Sequence, residues 1–270
     1  MAYTIDNPVA TAEAPPIPSP AVEPRTSHLS ILSGIQWITY ILVMAIFVMT
    51  YVIQAFQIPS ESMENTLLIG DYLLVDKVQY GPRGVWGEIL PYEPVSRGDV
   101  IVFKWPVHPG QHFVKRVMGI PGDRIRLVNG RVLVNGSLAK EDYALYKRSP
   151  HDSFRDEFPS RPVPSPLITA KWWAEIPLLL RNGDLLVPQD SYFVLGDNRN
   201  ESLDSRYWGL VPRENIVGKP LFIYFSLTPS SSAALSETPN VKNDKMSRFA
   251  DVLTHLPAMA RWGRTFMLVK

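Results

Sequence analysis

Arg124-Ile125-Arg126-Leu127-Val128-Asn129-Gly130-Arg131-Val132-Leu133-Val134 consists of two short apolar runs joined by Asn-Gly. Side chains on a strand alternate between faces, so short alternating runs suit a half-buried strand. Asn-Gly supplies the two positive-φ positions of a tight hairpin turn. The stretch therefore predicts a hairpin with strands at 124–128 and 131–134. Working outward, similar runs predict strands at Tyr72–Val78, Val100–Trp105 and Phe113–Gly119 before it, and at Ser191–Leu195 and Val217–Phe225 after it. Pro121-Gly122-Asp123 marks a turn. The predicted fold is mostly β. Residues 137–187 are rich in proline and resist assignment. Pro229 to Asp244 reads as a flexible linker. Met246 to Val269 is a helical candidate, with Phe249, Leu253, Leu256, Ala260 and Phe266 roughly on one face and Pro257 and Gly263 interrupting it. Arg248, Arg261, Arg264 and Lys270 beside Trp262 would suit a lipid surface, and a helix packed on the core is the equal alternative.

The N-terminal quarter has a different character. Pro8, Pro15, Pro16, Pro18, Pro20 and Pro24 stand among small and polar residues, the signature of a disordered tail. No Asp, Glu, Lys or Arg occurs from Thr26 to Ser60, and Ile35 to Phe56 is almost wholly apolar. That is about the 20 residues a helix needs to cross a bilayer. Trp37 and Tyr40 near one end and Tyr51 near the other suit the two interfaces. A buried core helix would carry more polar residues than Gln36, Thr39, Thr50 and Gln54. A cleaved export signal would be shorter, with a basic start. The expectation is one membrane-spanning anchor. Too few basic residues flank it to give its orientation.

The chain has 270 residues, of which 46% are hydrophobic, enough for a substantial core. A net charge of +1 gives no bulk-charge basis for nucleic-acid binding. There is no cysteine, which excludes disulfides, thiolate metal sites and cysteine nucleophiles. The five histidines show no metal-ligand spacing.

Three segments could carry chemistry. Gln57-Ile58-Pro59-Ser60-Glu61-Ser62-Met63 follows the apolar span directly. A Ser-x-Ser pair there could equally be an ordinary loop or helix cap. His112-Phe113-Val114-Lys115-Arg116-Val117-Met118-Gly119 places Lys115 on one strand face with Phe113 and Val117, and Arg116 on the other. A lysine among apolar neighbours either becomes desolvated or reaches past them to water. Gly196 to Gly209 follows a short apolar strand and is dense in polar side chains, which could simply tie the loop down. His112 is the one histidine near these segments, so a Ser-His pair stays open.

Taken together, Ile58–Met63, Arg97–Lys104, Lys115–Asp123 and Gly196–Gly209 resemble, in order and spacing, the boxes of type I signal peptidases. The resemblance covers roughly residues 54–136 and 191–228. It implies Ser62 as nucleophile and Lys115 as general base. It implies Ser60 as a hydroxyl donor to the oxyanion beside the Ser62 amide, Ser202 as the residue that positions the Lys115 amine, and Asp204 and Arg206 as supports of the last box. Phe56, Ile58, Pro59, Met63, Leu67, Val102, Phe113 and Val114 would line shallow pockets for small substrate residues. No metal or organic cofactor is implied.

The resemblance implies a β catalytic core at 57–123 and 188–228, carrying an inserted β-rich subdomain at 124–187. A disordered tail at 1–30 and an anchor at 31–56 precede it, and a linker at 229–245 and an amphipathic segment at 246–270 follow. The implied activity is removal of signal peptides from exported preproteins after Ala-x-Ala sites. The implied place is the bacterial inner membrane, single-pass, with the catalytic domain outside the cytoplasm. The partners would be secretory preproteins and membrane lipid. Asn200 stands where that family often has Asp, and Glu61 puts a charge between the two serines. The competing readings are an inactive, anchored peptide-binding β domain and a self-cleaving repressor-type Ser-Lys protease. The latter would carry a DNA-binding domain in place of the apolar span.

Overall fold

The computed structural model describes residues 27–78, 93–160, 165–228 and 259–269. It divides into two compact units, one ending at Ala45 and one beginning at Ile46. The first is dominated by helix α1 (Ser27–Phe47). Leu32–Val52 is a 21-residue stretch long and apolar enough to cross a membrane, with none of that stretch buried in the protein. The helix therefore begins inside the expected tail, whose residues 1–26 lie outside the described residues. It also ends earlier than expected. After a π turn at Val48–Val52 the chain is already in strand β1 (Ile53–Gln57). Ile53 to Phe56 thus leave the expected anchor and pair with the next strand. An apolar run of this kind suits helix and strand alike, and the partner strand decided.

In the second unit β1 continues into β2 (Asp71–Asp76), β3 (Val100–Lys104), β4 (His112–Gly119), β5 (Arg124–Val128), β6 (Arg131–Val134) and β7 (Ser137–Leu138). A helical turn α2 (Ser153–Asp156) and helix α3 (Ala170–Leu179) precede β8 (Leu180–Arg181), β9 (Asp184–Leu186) and β10 (Ser191–Leu195). The short helix α4 (Ser205–Trp208) leads to β11 (Val211–Pro212), β12 (Ile216–Ser226) and β13 (Met267–Leu268). One antiparallel sheet runs β1-β2-β12-β3-β4-β10-β11, with β13 on β12. A second runs β7-β6-β5-β9-β8.

Turn chemistry builds the second sheet. Each of its three hairpins turns on Asn-Gly with both residues at positive φ: Asn129 (49°) and Gly130 (75°), Asn135 (54°) and Gly136 (81°), Asn182 (54°) and Gly183 (83°). Only side-chain-poor or locally bonded residues tolerate those angles cheaply. In the first sheet β3 is buried on both faces. Ile101 and Phe103 enter one apolar cluster with Val117 and Phe193, while Val100 and Val102 enter another with Ile58, Met63 and Leu67. Residues 137–187, unassigned from sequence, contain α3, which Thr169 caps by accepting the Trp172 amide. Helix α3 buries Trp172 and Ile176 in the first cluster.

The C-terminal expectation needs correction. Residues 246–258 lie outside the described residues, and from Arg261 on the chain is not an α-helix but a 3₁₀ turn (Trp262–Arg264) followed by β13. Arg261 and Arg264 turn inward to buried Asp71. Both guanidiniums thus face the protein, while Trp262, Phe266 and Leu268 beside them stay exposed.

Candidate active site

Four elements bring the site together. Strand β1 delivers the chain to a 3₁₀ turn, Glu61–Met63, which carries Ser62. Strand β4 carries Lys115 opposite Ile101 of β3. Strand β10 ends at Leu195, and the loop from Gly196 then runs to α4. Lys115 and Ser62 are both buried, and Lys115 Nζ lies 2.5 Å from Ser62 Oγ. The Phe113 ring packs 5.5 Å from the amine, as a shared strand face requires. Burial disfavours the ammonium and lowers the Lys115 pKa from 10.5 to about 8. The charges of Asp204 and Asp197 limit that fall, and Arg206 adds to it.

Ser60 Oγ lies 3.4 Å from Ser62 Oγ, on the exposed side. Ser202 is buried. Its hydroxyl meets no partner at hydrogen-bonding distance and angle among the described residues, yet it is near enough to Asp204 to favour that residue's charged form. A direct Ser202–Lys115 hydrogen bond is therefore not made in this state. Gly196 explains the crowding: a Cβ there would overlap the Ser62 carbonyl oxygen and the Ser202 side chain. Only a residue without a side chain lets the Ser62 backbone and the Ser202 side chain approach this closely.

Two buried guanidinium–carboxylate forks support this loop. Arg206 donates to both oxygens of Asp204 at 2.8 Å. Burial works against the Asp204 charge, but Arg206 and the Gly196 amide outweigh it and hold the carboxyl below its ordinary range. Arg116, next to Lys115 on the opposite face of β4, donates to Asp197 at 2.8 and 2.7 Å. The Asn198 amide donates to the Ser62 carbonyl at 3.1 Å.

The sequence reading overlooked a strap, residues 141–149, that ties the inserted segment to both serine-bearing loops. Its Leu145 pairs through backbone hydrogen bonds with Asp197 and Arg199. Its Glu141 forms a buried ion pair with Arg199 at 2.5 Å, and its Tyr143 ring lies 3.9 Å from the Arg116 guanidinium. Lys147 lies 3.0 Å from Glu61 and 2.6 Å from Glu64. The charge between the two serines thus has a counterion. Asn200 donates to Ser149, so an amide serves at this position. The tyrosines and charges of 141–149 were visible in sequence, but nothing local paired them with loops so far along the chain.

The expected pocket residues separate into two groups. Ile58, Met63, Leu67 and Val102 are buried in one apolar cluster, with Phe56 and Val114 packed partly exposed against it. Pro59 is exposed, and Phe113 packs on the other cluster, stacked on Trp105. Of the eight, Phe56, Pro59, Phe113 and Val114 keep exposed or partly exposed surface. Met63, Leu67 and Val102 form the floor beneath. A cavity of about 510 Å³ bounded by Pro106, Trp172, Trp208 and Pro212 contains none of these residues. His112, the alternative base, is exposed and packs its ring 5.2 Å from Phe56.

Residues 31–225 match the family described as signal peptidase, peptidase S26. A signal peptidase I from Leptolyngbya laminosa is 35% identical over 230 residues, covering 81% of this chain and 90% of that one. A signal peptidase I from Aquifex aeolicus is 34% identical over 232 residues, covering 73% and 87%. A solved signal peptidase I from Enterococcus faecalis aligns at 29% identity over 47% of this chain and 97% of that one, with a TM-score of 0.34, too loose a superposition to bear on the fold. A family match across most of the chain and relatives of this closeness establish that the chain belongs to the signal peptidase I family and is a serine protease that removes signal peptides.

Proposed function

We propose that the chain is a membrane-bound signal peptidase that cuts after small residues, at Ala-x-Ala sites, with Ser62 and Lys115 as a catalytic dyad. The observation that carries this is the 2.5 Å approach of a buried lysine amine to a buried serine hydroxyl. At an ordinary pKa only about 0.1% of a lysine is neutral near pH 7.5, whereas at about 8 roughly a quarter is. The neutral amine takes the Ser62 hydroxyl proton while Ser62 Oγ bonds to the scissile carbonyl carbon. The Ser62 amide and the Ser60 hydroxyl donate to the oxygen on which charge develops. The resulting ammonium returns its proton to the departing amine, which leaves an acyl-Ser62. Water, deprotonated by the same amine, then hydrolyses that ester. Asp204 and Arg206 hold the loop that carries Ser202 against the amine.

Helix α1 anchors the chain in the bacterial inner membrane, single-pass, with the catalytic unit outside the cytoplasm. A preprotein is held to the same membrane by its own signal helix. Shared attachment raises the effective concentration of its cleavage site without added contacts. The shallow surface of Phe56, Pro59, Phe113 and Val114 admits Ala and excludes larger side chains by contact with the floor beneath. The deciding experiment compares wild type with Lys115→Met on a preprotein with an Ala-x-Ala site and on the same preprotein with Leu in place of the final Ala. The proposal requires cleavage of the first preprotein by wild type alone. Retained activity in Lys115→Met, or equal cutting of the Leu substrate, would overturn it.

A further inference from the structure

Asp71 is fully buried at the start of β2, yet nothing near it in sequence neutralises it. Its Oδ2 accepts the Leu68 amide at 2.8 Å, closing a turn, and its Oδ1 accepts the Ser226 hydroxyl at 2.6 Å. The opposite charge comes from the far end of the chain. Arg264 donates to Asp71 at 2.6 Å, and Arg261 lies 3.4 Å from it and donates to Ser226 Oγ at 2.8 Å. The same two guanidiniums also donate to the carbonyls of the turn itself, Arg261 to Ile69 at 2.5 Å and Arg264 to Thr66 at 2.9 Å. Backbone pairing of β13 with β12 and burial of Val269 among Ile58, Met63 and Leu67 fix this hook in place.

The turn it grips is the one that leaves Ser62. The amides of Thr66 and Leu67 donate to the Met63 carbonyl, one residue after Ser62. The Thr66 hydroxyl donates to Asp197 at 2.5 Å, and Asp197 is the partner of Arg116, the residue beside Lys115. The C-terminal hook thus bears on both sides of the reacting pair, on the Ser62 turn directly and on β4 through Thr66 and Asp197.

We infer that Arg261 and Arg264 are positioning residues: they hold the 64–71 turn so that Ser62 stays within reach of the Lys115 amine. This rests on Ser62 and Lys115 being the reacting pair. A guanidinium fork that takes a carboxylate and a carbonyl at once fixes a turn in a way that a single point charge does not. Displacing a reacting atom by about 1 Å from a remote position can cost roughly a hundredfold in rate. The hook does not touch the amine, and the Arg116–Asp197 fork stays in place without it, so its loss should move the Ser62 turn and leave the charges around Lys115 as they are.

The experiment uses the full-length chain in detergent, with a preprotein bearing an Ala-x-Ala site. It compares wild type, Arg264→Ala, Arg261→Ala with Arg264→Ala, and Lys115→Met, at a temperature where circular dichroism shows every variant folded. We expect kcat to fall about tenfold or more in Arg264→Ala and further in the double variant, with KM little changed and the rate–pH limb unmoved. Values of kcat within about twofold of wild type would overturn the inference, as would a loss confined to KM. A displaced limb would overturn it too, because the arginines would then act on the charge of Lys115. Activity in Lys115→Met would instead defeat the dyad itself, a separate failure.

Discussion

Lys115 and Ser62 are 53 positions apart in the chain and meet at 2.5 Å, because β4 and the turn after β1 pack against the same loop. The amine is buried and has charged groups on several sides, Asp197 and Asp204 favouring its ammonium form and Arg206 opposing it. A base at this position is sensitive to each of these partners, and the following outcomes are expected.

Replacing Lys115 with Met keeps the volume and apolar contacts of the stem and removes the amine. The rate kcat should fall at least about a hundredfold, since a positioned general base contributes roughly a hundred- to ten-thousandfold. Ser62→Ala should fall as far or further. Steady-state cleavage of a preprotein, with circular dichroism as a control for folding, checks both, and a Lys115→Met enzyme with a tenth of wild-type kcat would remove Lys115 from the chemistry.

The pH dependence follows from a lysine whose folded pKa, about 8, lies below 10.5. Activity needs the neutral amine, so kcat should rise with pH along a single limb near 8. Between the two values the folded protein binds fewer protons than the unfolded chain, so stability falls as pH drops from 10.5 towards 8. Below that the cost, about 3 kcal/mol, is fully present and constant. Denaturation of wild type and Lys115→Met across pH 7 to 11 should show a steeper pH dependence for wild type. An activity limb near pH 10 would show an unburied lysine, and one at or below the ordinary histidine range would point to His112.

Ser60→Ala should lower kcat by about a hundredfold or more while KM changes little, because a hydroxyl that meets the oxyanion acts in the transition state. If KM alone moves, Ser60 binds substrate.

Gly196→Ala tests the convergence of loops. The added methyl overlaps the Ser62 carbonyl and the Ser202 side chain, and backbone cannot swing away as a flexible side chain does. A loss of about 1–3 kcal/mol in stability and a loss of activity are expected, whereas Gly98→Ala, at a positive φ but in open space, should spare activity. Equal effects of the two substitutions on kcat would show that the crowding around Ser62 is immaterial.

Asp204→Asn leaves Arg206 buried with half of its fork gone, at a cost of about 3–5 kcal/mol. It also removes the strongest influence that favours the Lys115 ammonium, so the activity limb should move to lower pH. Chemical denaturation and a rate–pH profile read these effects separately, and an unmoved limb would show that Asp204 does not act on the amine.

Much of the β framework was legible in sequence because strands of this fold announce themselves locally. The runs at Arg124–Val128, Arg131–Val134 and Ser191–Leu195 lie as the alternation and turn residues predict. Two further Asn-Gly pairs, at 135–136 and 182–183, carry the signal of 129–130 but are flanked by strands of only two to four residues, too short to show a period. Ile53–Phe56 reads as membrane span because its composition is that of the helix before it, and pairing with β2 separates the two.

The residue types of the site, Ser-x-Ser and a lysine on an apolar strand face, are properties of the sequence, since alternation along β4 assigns Lys115 and Arg116 to opposite faces whatever lies around them. The depth at which they sit is not. Desolvation of Lys115 depends on what packs over it, and the counterions of Glu61 and Asp71 are Lys147 and the pair Arg261 and Arg264, far along the chain. Local pattern specifies which way a side chain points from its own strand. Which charge meets it, and how much water is left, is decided by the packing of segments whose separation in sequence carries no information about their distance in space.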